Sequence, residues 1–83
     1  MRVTVKLYAT LSDYLPSASK NNRVELVAAE GACVQEVLQQ FAMPAKLTHL
    51  VLVNGVFIPP EARPTTPLQE GDVLAVWPPI AGG

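Results

Sequence analysis

The residues of this sequence that could do chemistry lie at its C-terminal end, in Trp77-Pro78-Pro79-Ile80-Ala81-Gly82-Gly83. Glycine has no Cβ, so Gly82-Gly83 can lie extended in a channel too narrow for any other side chain. The reacting group would be the α-carboxylate of Gly83, carried on a slender finger into another protein. Pro78 and Pro79 stand at the base of that finger and favour an extended, polyproline-like exit from the fold. Frayed terminal residues are the plain alternative. At an average glycine usage of about 7%, a terminal pair arises by chance in roughly one of 200 sequences. What lies ahead of the finger must decide.

The chain has 83 residues and 49% apolar content, enough for one small domain with a modest core. Its net charge of −1 is near balance. Arg2, Lys6, Lys20, Arg23, Lys46 and Arg63 are scattered, without a basic run or interleaved aromatics, so nucleic acid is not an expected partner. The single cysteine, Cys33, excludes an internal disulfide and fits a reducing compartment. Met1-Arg2-Val3 runs straight into strand-like alternation and no apolar stretch is long enough for a bilayer. The expectation is a cytoplasmic domain with no signal peptide and no membrane partner.

Residues 2–9 alternate, with Val3, Val5 and Leu7 on one side and Arg2, Thr4, Lys6 and Tyr8 on the other, as in a half-buried strand. Thr10–Leu15 reads as a short helical turn stopped by Pro16, and residues 17–22 as a polar loop. Arg23–Val27 is a second strand. From Cys33 to Ala42 the period changes: Val34, Val37, Leu38 and Phe41 form one stripe of a helix, with Gln35, Glu36, Gln39 and Gln40 opposite. Such a stripe needs a sheet to cover it. Asn54-Gly55 between Leu50–Val53 and Val56–Ile58 predicts a two-residue hairpin, and Pro59-Pro60 places its second arm at or near an edge. Residues 59–67 read as irregular. After the tight turn Leu68–Asp72, Val73–Trp77 is a last strand running directly into the finger. The order predicts an α+β roll, a mixed sheet of about five strands crossed by one main helix; which strands are neighbours stays open.

With these elements in place, the sequence resembles the MoaD/ThiS family of ubiquitin-like sulfur carriers, which share the β-grasp fold. The matching pieces are Leu7-Tyr8-Ala9-x-Leu11, Gly31-Ala32-x-Val34-x-x-Val37-Leu38, Val53-Asn54-Gly55, Leu68-x-x-Gly71-Asp72 and Pro78-Pro79-x-x-Gly82-Gly83. Within the family, Pro78-Pro79 and the Tyr8-Ala9-x-Leu11 segment resemble the molybdopterin-synthase small subunits. Two features depart from that pattern. Pro59, Pro60, Pro64 and Pro67 crowd one loop, and Ser12-Asp13 stands where a basic residue is common. Either would suit a branch serving another acceptor, such as a tungsten pathway.

The resemblance implies a β-grasp domain over residues 1–77 and a working tail over 78–83. It implies that an ATP-dependent, ubiquitin-activator-like enzyme adenylates the Gly83 carboxylate and that a sulfur donor converts the adenylate to a thiocarboxylate. Trp77, Pro78, Pro79, Ile80, Ala81 and Gly82 would engage partners, among them the large subunit of a molybdopterin synthase. The chain itself would bind no metal and no cofactor, the ATP being used by the activating enzyme. It would be the sulfur-donating small subunit of a sulfurtransferase and not a stand-alone catalyst. The chemistry is sound on its own terms. A carboxylate is a poor electrophile, a mixed anhydride with AMP has a good leaving group, and a thiocarboxylate is a strong nucleophile best kept from water.

Other residues have plainer readings. Alternation places Val73, Ala75 and Trp77 on one face of the last strand and Leu74 and Val76 on the other, so Trp77 belongs either to the core or to a second, partner-binding face. Cys33 sits at the expected helix N-cap, where threonine would be more usual; carrier chemistry needs no cysteine, so it is read as structural or incidental. His49 has no catalytic constellation around it, and Asn54-Gly55 and Gly71-Asp72 read as turn chemistry. Three functions remain open: a sulfur carrier for molybdopterin or for a thiamine-type pathway, a ubiquitin-like modifier joined to lysines, and a β-grasp interaction module with an idle tail.

Overall fold

The alternation of residues 2–7 becomes β1 (Arg2–Leu7), whose inward side chains Val3, Val5 and Leu7 are fully buried. A computed structural model describes residues 1–16, 19 and 21–80. The tail residues Ala81, Gly82 and Gly83, and part of the 17–22 loop, lie outside the described residues. β1 is followed by a 3₁₀ turn at Ala9–Tyr14, which buries Leu11 beside the sheet. Then come β2 (Arg23–Val27), α1 (Val34–Gln39), β3 (Leu50–Val53), β4 (Val56–Phe57) and β5 (Val73–Trp77). The strands form one sheet in the order β2-β1-β5-β3-β4. β1 and β5 run parallel in its middle, and the other neighbours pair antiparallel. This is the β-grasp arrangement, with the chain's last strand enclosed on both sides.

One face of the sheet carries the core. Val3, Val5, Leu7, Val51, Leu74 and Val76 meet Val34, Val37 and Leu38 of α1, with Leu68 and Ala32 closing the end. The helix is shorter than its apolar stripe. Beyond Gln39 the amides of Gln40, Phe41 and Ala42 donate to carbonyls three residues back, a tighter winding than α. Ala42 then turns left-handed (φ 56°) and Pro44 prevents continuation. Phe41 still packs on the core from this coil.

At the other end Cys33 is the N-cap, as expected, and its N–H donates to Glu36 Oε1 at 3.0 Å. Hydrogen bonds from the Cys33 backbone, and then from its side chain, hold the Glu36 carboxyl below its ordinary value of 4.5. A depressed folded-state value stabilises the native state above 4.5, and the gain disappears as pH falls through the carboxylate range. Glu36→Gln keeps an acceptor but removes the charge. Its melting temperature should lie below wild type at about pH 7, and the gap should close towards about pH 3.

Asn54 and Gly55 both take positive φ (50° and 84°), the geometry a two-residue β3–β4 turn demands. β4 has only Val56 and Phe57 and ends the sheet before Pro59, as the prolines required. The two turn signals of the sequence meet in space. Asn54 Nδ2 donates to Asp72 Oδ1 at 2.9 Å, while Asn54 Oδ1 accepts from the Val73 N–H at 2.9 Å. The hairpin is thereby pinned to the start of β5. No helix among the described residues is long and apolar enough to cross a membrane.

Candidate functional site

β5 delivers the tail. Its inward residues Leu74 and Val76 are fully buried, and its N- and C-terminal halves are held by β1 on one side and β3 on the other. Trp77, the last strand residue, projects from the face opposite the helix. Its ring stacks on Tyr8 with centroids 4.4 Å apart and planes 3° from parallel. Such a pair is worth about 0.5–1.5 kcal/mol beyond the area it buries. The stack fixes the point of exit: Pro78 is half-buried, Pro79 is exposed, and Ile80 is 82% exposed. Trp77 thus belongs to the second face and not to the core.

Register defines what surrounds it. Arg23, Lys6, Ala75, Leu52 and Phe57 form one row across the sheet, each paired with the next. Leu50 pairs with Trp77, and Thr4 pairs with Glu25 and Val73. The open face is therefore divided. The half built by β5, β3 and β4 presents Trp77, Ala75, Leu50, Leu52 and Phe57, with Phe57 50% exposed. The half built by β1 and β2 presents Lys6, Arg23 and an Arg2–Glu25 ion pair at 3.1 Å. An apolar patch thus lies beside a charged field, next to the point where the chain leaves the sheet. The sequence showed both faces of β5 as apolar; only the register shows how far the second patch extends.

A further residue has a role that its sequence context does not signal. Arg63, in the proline-rich loop, is 6% exposed. Its guanidinium donates to the carbonyls of Thr48 (2.7 Å), His49 (3.1 Å) and Ile58 (3.3 Å), joining the entry of β3 to the exit of β4. Burial lowers its pKa, with the charge of Glu61 opposing. The loop, expected to be irregular throughout, holds a 3₁₀ turn at Pro60–Ala62 and is firmly attached, because the Val34 N–H donates to Thr66 O and the Gln35 N–H to Arg63 O. A lone cation among prolines was the available signal, but a loop has no periodicity to show which way a side chain points. His49 is exposed, and its N–H donates to Trp77 O at 3.1 Å, so it supports the tail root through its backbone. Cys33 keeps a free thiol and serves the helix cap.

A β-grasp sheet with its last strand central and an exposed exit at its end defines the ubiquitin-like class of fold. Its family is shown by the sequence: the ThiS family model matches residues 5–83, and the chain belongs to the ThiS family. Among solved structures, it is similar to SAMP1 from Haloferax volcanii at 23% identity and a TM-score of 0.73, over 100% of both chains. It is also similar to a chain of the complex of subunits 1 and 2 of molybdopterin-converting factor from Helicobacter pylori 26695. There the identity is 22% and the TM-score 0.62, again over 100% of both chains. At these identities the likeness is one of fold. No curated protein sequence matches the chain at the same stringency.

Proposed function

We propose that this protein is a cytoplasmic sulfur carrier for molybdopterin-type cofactor synthesis, acting through Gly83. The Gly83 carboxylate attacks the α-phosphorus of ATP within an activating enzyme, releasing pyrophosphate. A sulfide-equivalent donor then attacks the acyl carbon, AMP leaves, and a thiocarboxylate remains. The carrier supplies the reacting atom and a docking face; its partners supply the catalytic groups. The observation that carries this reading is the exit of the central strand β5 through the Tyr8–Trp77 stack into Pro78-Pro79, within a family match that extends through Gly83. The molybdopterin assignment rests on Pro78-Pro79 and on the fold shared with a chain of the converting-factor complex.

The test is the intact mass of the full chain after incubation with an activating enzyme, ATP and sulfide. Exchange of one oxygen for sulfur, mapped to the C-terminal peptide, is the expected result. An unchanged mass, with the enzyme active on another carrier, would make the chain an interaction module. Transfer of that sulfur to a pterin precursor, and not to a thiazole precursor, identifies the acceptor. The same activated carboxylate could instead meet lysine amines, and covalent ladders of tagged protein in cells would then mark a modifier.

The docking face makes its own prediction. Phe57 lies on the apolar half of the open face, is 50% exposed, and is absent from the core. Phe57→Ser should weaken binding to the activating enzyme or the synthase large subunit about tenfold, measured by calorimetry, as expected for an aromatic interface anchor. Stability should change by no more than about 0.5 kcal/mol. Unchanged affinity would move the docking surface elsewhere.

A further inference from the structure

Between the end of α1 and the segment entering β3 lies a half-open cleft of about 430 Å³, which falls in the size range of small-ligand sites. Its wall includes Arg63, Lys46 and His49, the amide of Gln35, and the apolar side chains of Leu38 and Met43. No Asp or Glu lines it. Arg63 is the decisive member because it is nine-tenths buried and carries a fixed charge. Its five N–H groups meet Ile58 O, Thr48 O, Thr48 Oγ1 and His49 O, which leaves one Nη2 hydrogen without an acceptor among the described residues. All of these acceptors are neutral. Among the described residues no carboxylate stands within ion-pair distance of Arg63, and Glu61 influences it only from outside the cleft. A buried guanidinium without a counter-charge is incomplete. The site favours a planar anion with an apolar body, since a carboxylate matches the guanidinium fork and Lys46 adds a second cation.

We propose that this cleft is a binding site for a small organic acid, its carboxylate held by Arg63 and Lys46 and its apolar part laid against Leu38 and Met43. The site is distinct from the tail chemistry and stands whether or not Gly83 carries sulfur. It is nonetheless close to the tail root in bonding terms. Arg63 holds His49 O, and the His49 N–H holds Trp77 O, so an occupant that tightens Arg63 braces the residue from which the tail departs.

The experiment is an NMR titration of the isotope-labelled full chain with benzoate, using benzamide as the uncharged isostere. Benzoate should produce saturable shifts centred on Gln35, Lys46, His49 and Arg63, with a Kd on the order of millimolar or tighter. Benzamide should bind at least about tenfold more weakly. Removing Arg63 endangers the fold, so Lys46→Glu is the working variant; Lys46 is exposed and should tolerate replacement. It should weaken benzoate at least about fivefold while the spectrum stays folded. Equal binding of benzoate and benzamide, shifts centred away from the cleft, or unchanged affinity in Lys46→Glu would each overturn the proposal.

Discussion

Replacing Arg63 with methionine should lower the melting temperature by about 15–20 °C. Methionine has a similar reach and fills much of the same space, so the effect isolates the hydrogen bonds. Three carbonyls, those of Thr48, His49 and Ile58, lose their guanidinium donor in a part-buried setting. Each bond to a charged donor contributes about 1 kcal/mol or more net, and an acceptor left without a partner costs about 1–3 kcal/mol. Removing a buried charge returns some desolvation free energy, so a total near 3 kcal/mol is the balanced expectation. For a domain of this size, each kcal/mol moves the midpoint by about 4–8 °C. An 83-residue chain has roughly 4–12 kcal/mol in all, so the variant should remain folded at low temperature yet be much weakened. Arg63→Lys keeps the charge but cannot reach three carbonyls with one planar fork, and should recover less than half of the loss. A midpoint within about 3 °C of wild type would show that solvent replaces the guanidinium at these carbonyls.

Arg63 also shows where a sequence stops being legible. Strands announce themselves through period two and hairpins through turn residues, because both signals are local. Arg23–Val27 and Val73–Trp77 accordingly have the boundaries their alternation indicated, and Asn54-Gly55 turns as its chemistry requires. The helix was legible in kind but not in length. Its stripe includes Phe41, and only the geometry shows that Phe41 reaches the core from a tightened coil beyond the helix. The parallel pairing of β1 with β5 joins the two ends of the chain, and no local pattern encodes it. The same pairing decides Trp77. Both faces of β5 are apolar, so alternation alone left its direction open, whereas the stack on Tyr8, the residue just past the end of β1, settles it. Arg63 had no period to show which way it points, and its importance lies in carbonyls contributed by Thr48, His49 and Ile58, two of them more than ten residues away. Of the candidate site, Trp77 through Ile80 are placed by the structure, while Ala81, Gly82 and Gly83 lie outside the described residues and their proposed role rests on the sequence.

Adding a single alanine after Gly83 should abolish sulfur loading while leaving the fold intact. Among the described residues the buried core ends at Val76 and Ile80 is already 82% exposed, so the addition is made well beyond the core. The melting temperature should be unchanged. The chemistry should fail for two independent reasons. The terminal carboxylate moves by about 3.5 Å, roughly one extended residue, past the point where an activating enzyme would hold the α-phosphate of ATP. A displacement of about 1 Å can already cost on the order of a hundredfold in rate, so the loss should exceed that. The new terminal residue also carries a Cβ where glycine offered none, which a partner channel sized for bare backbone would exclude. The paired measurements are ATP–pyrophosphate exchange, which reads adenylation, and intact mass, which reads sulfur incorporation. Loss of both with binding retained would place the defect in the tail and not in docking, because the apolar face around Trp77, Leu52 and Phe57 would still engage the enzyme. Loss of mass shift with exchange retained would instead locate the requirement at the sulfur-transfer step. Full loading of the extended chain would remove Gly83 from the chemistry and leave the β-grasp face, with its Tyr8–Trp77 anchor, as the functional part of the molecule.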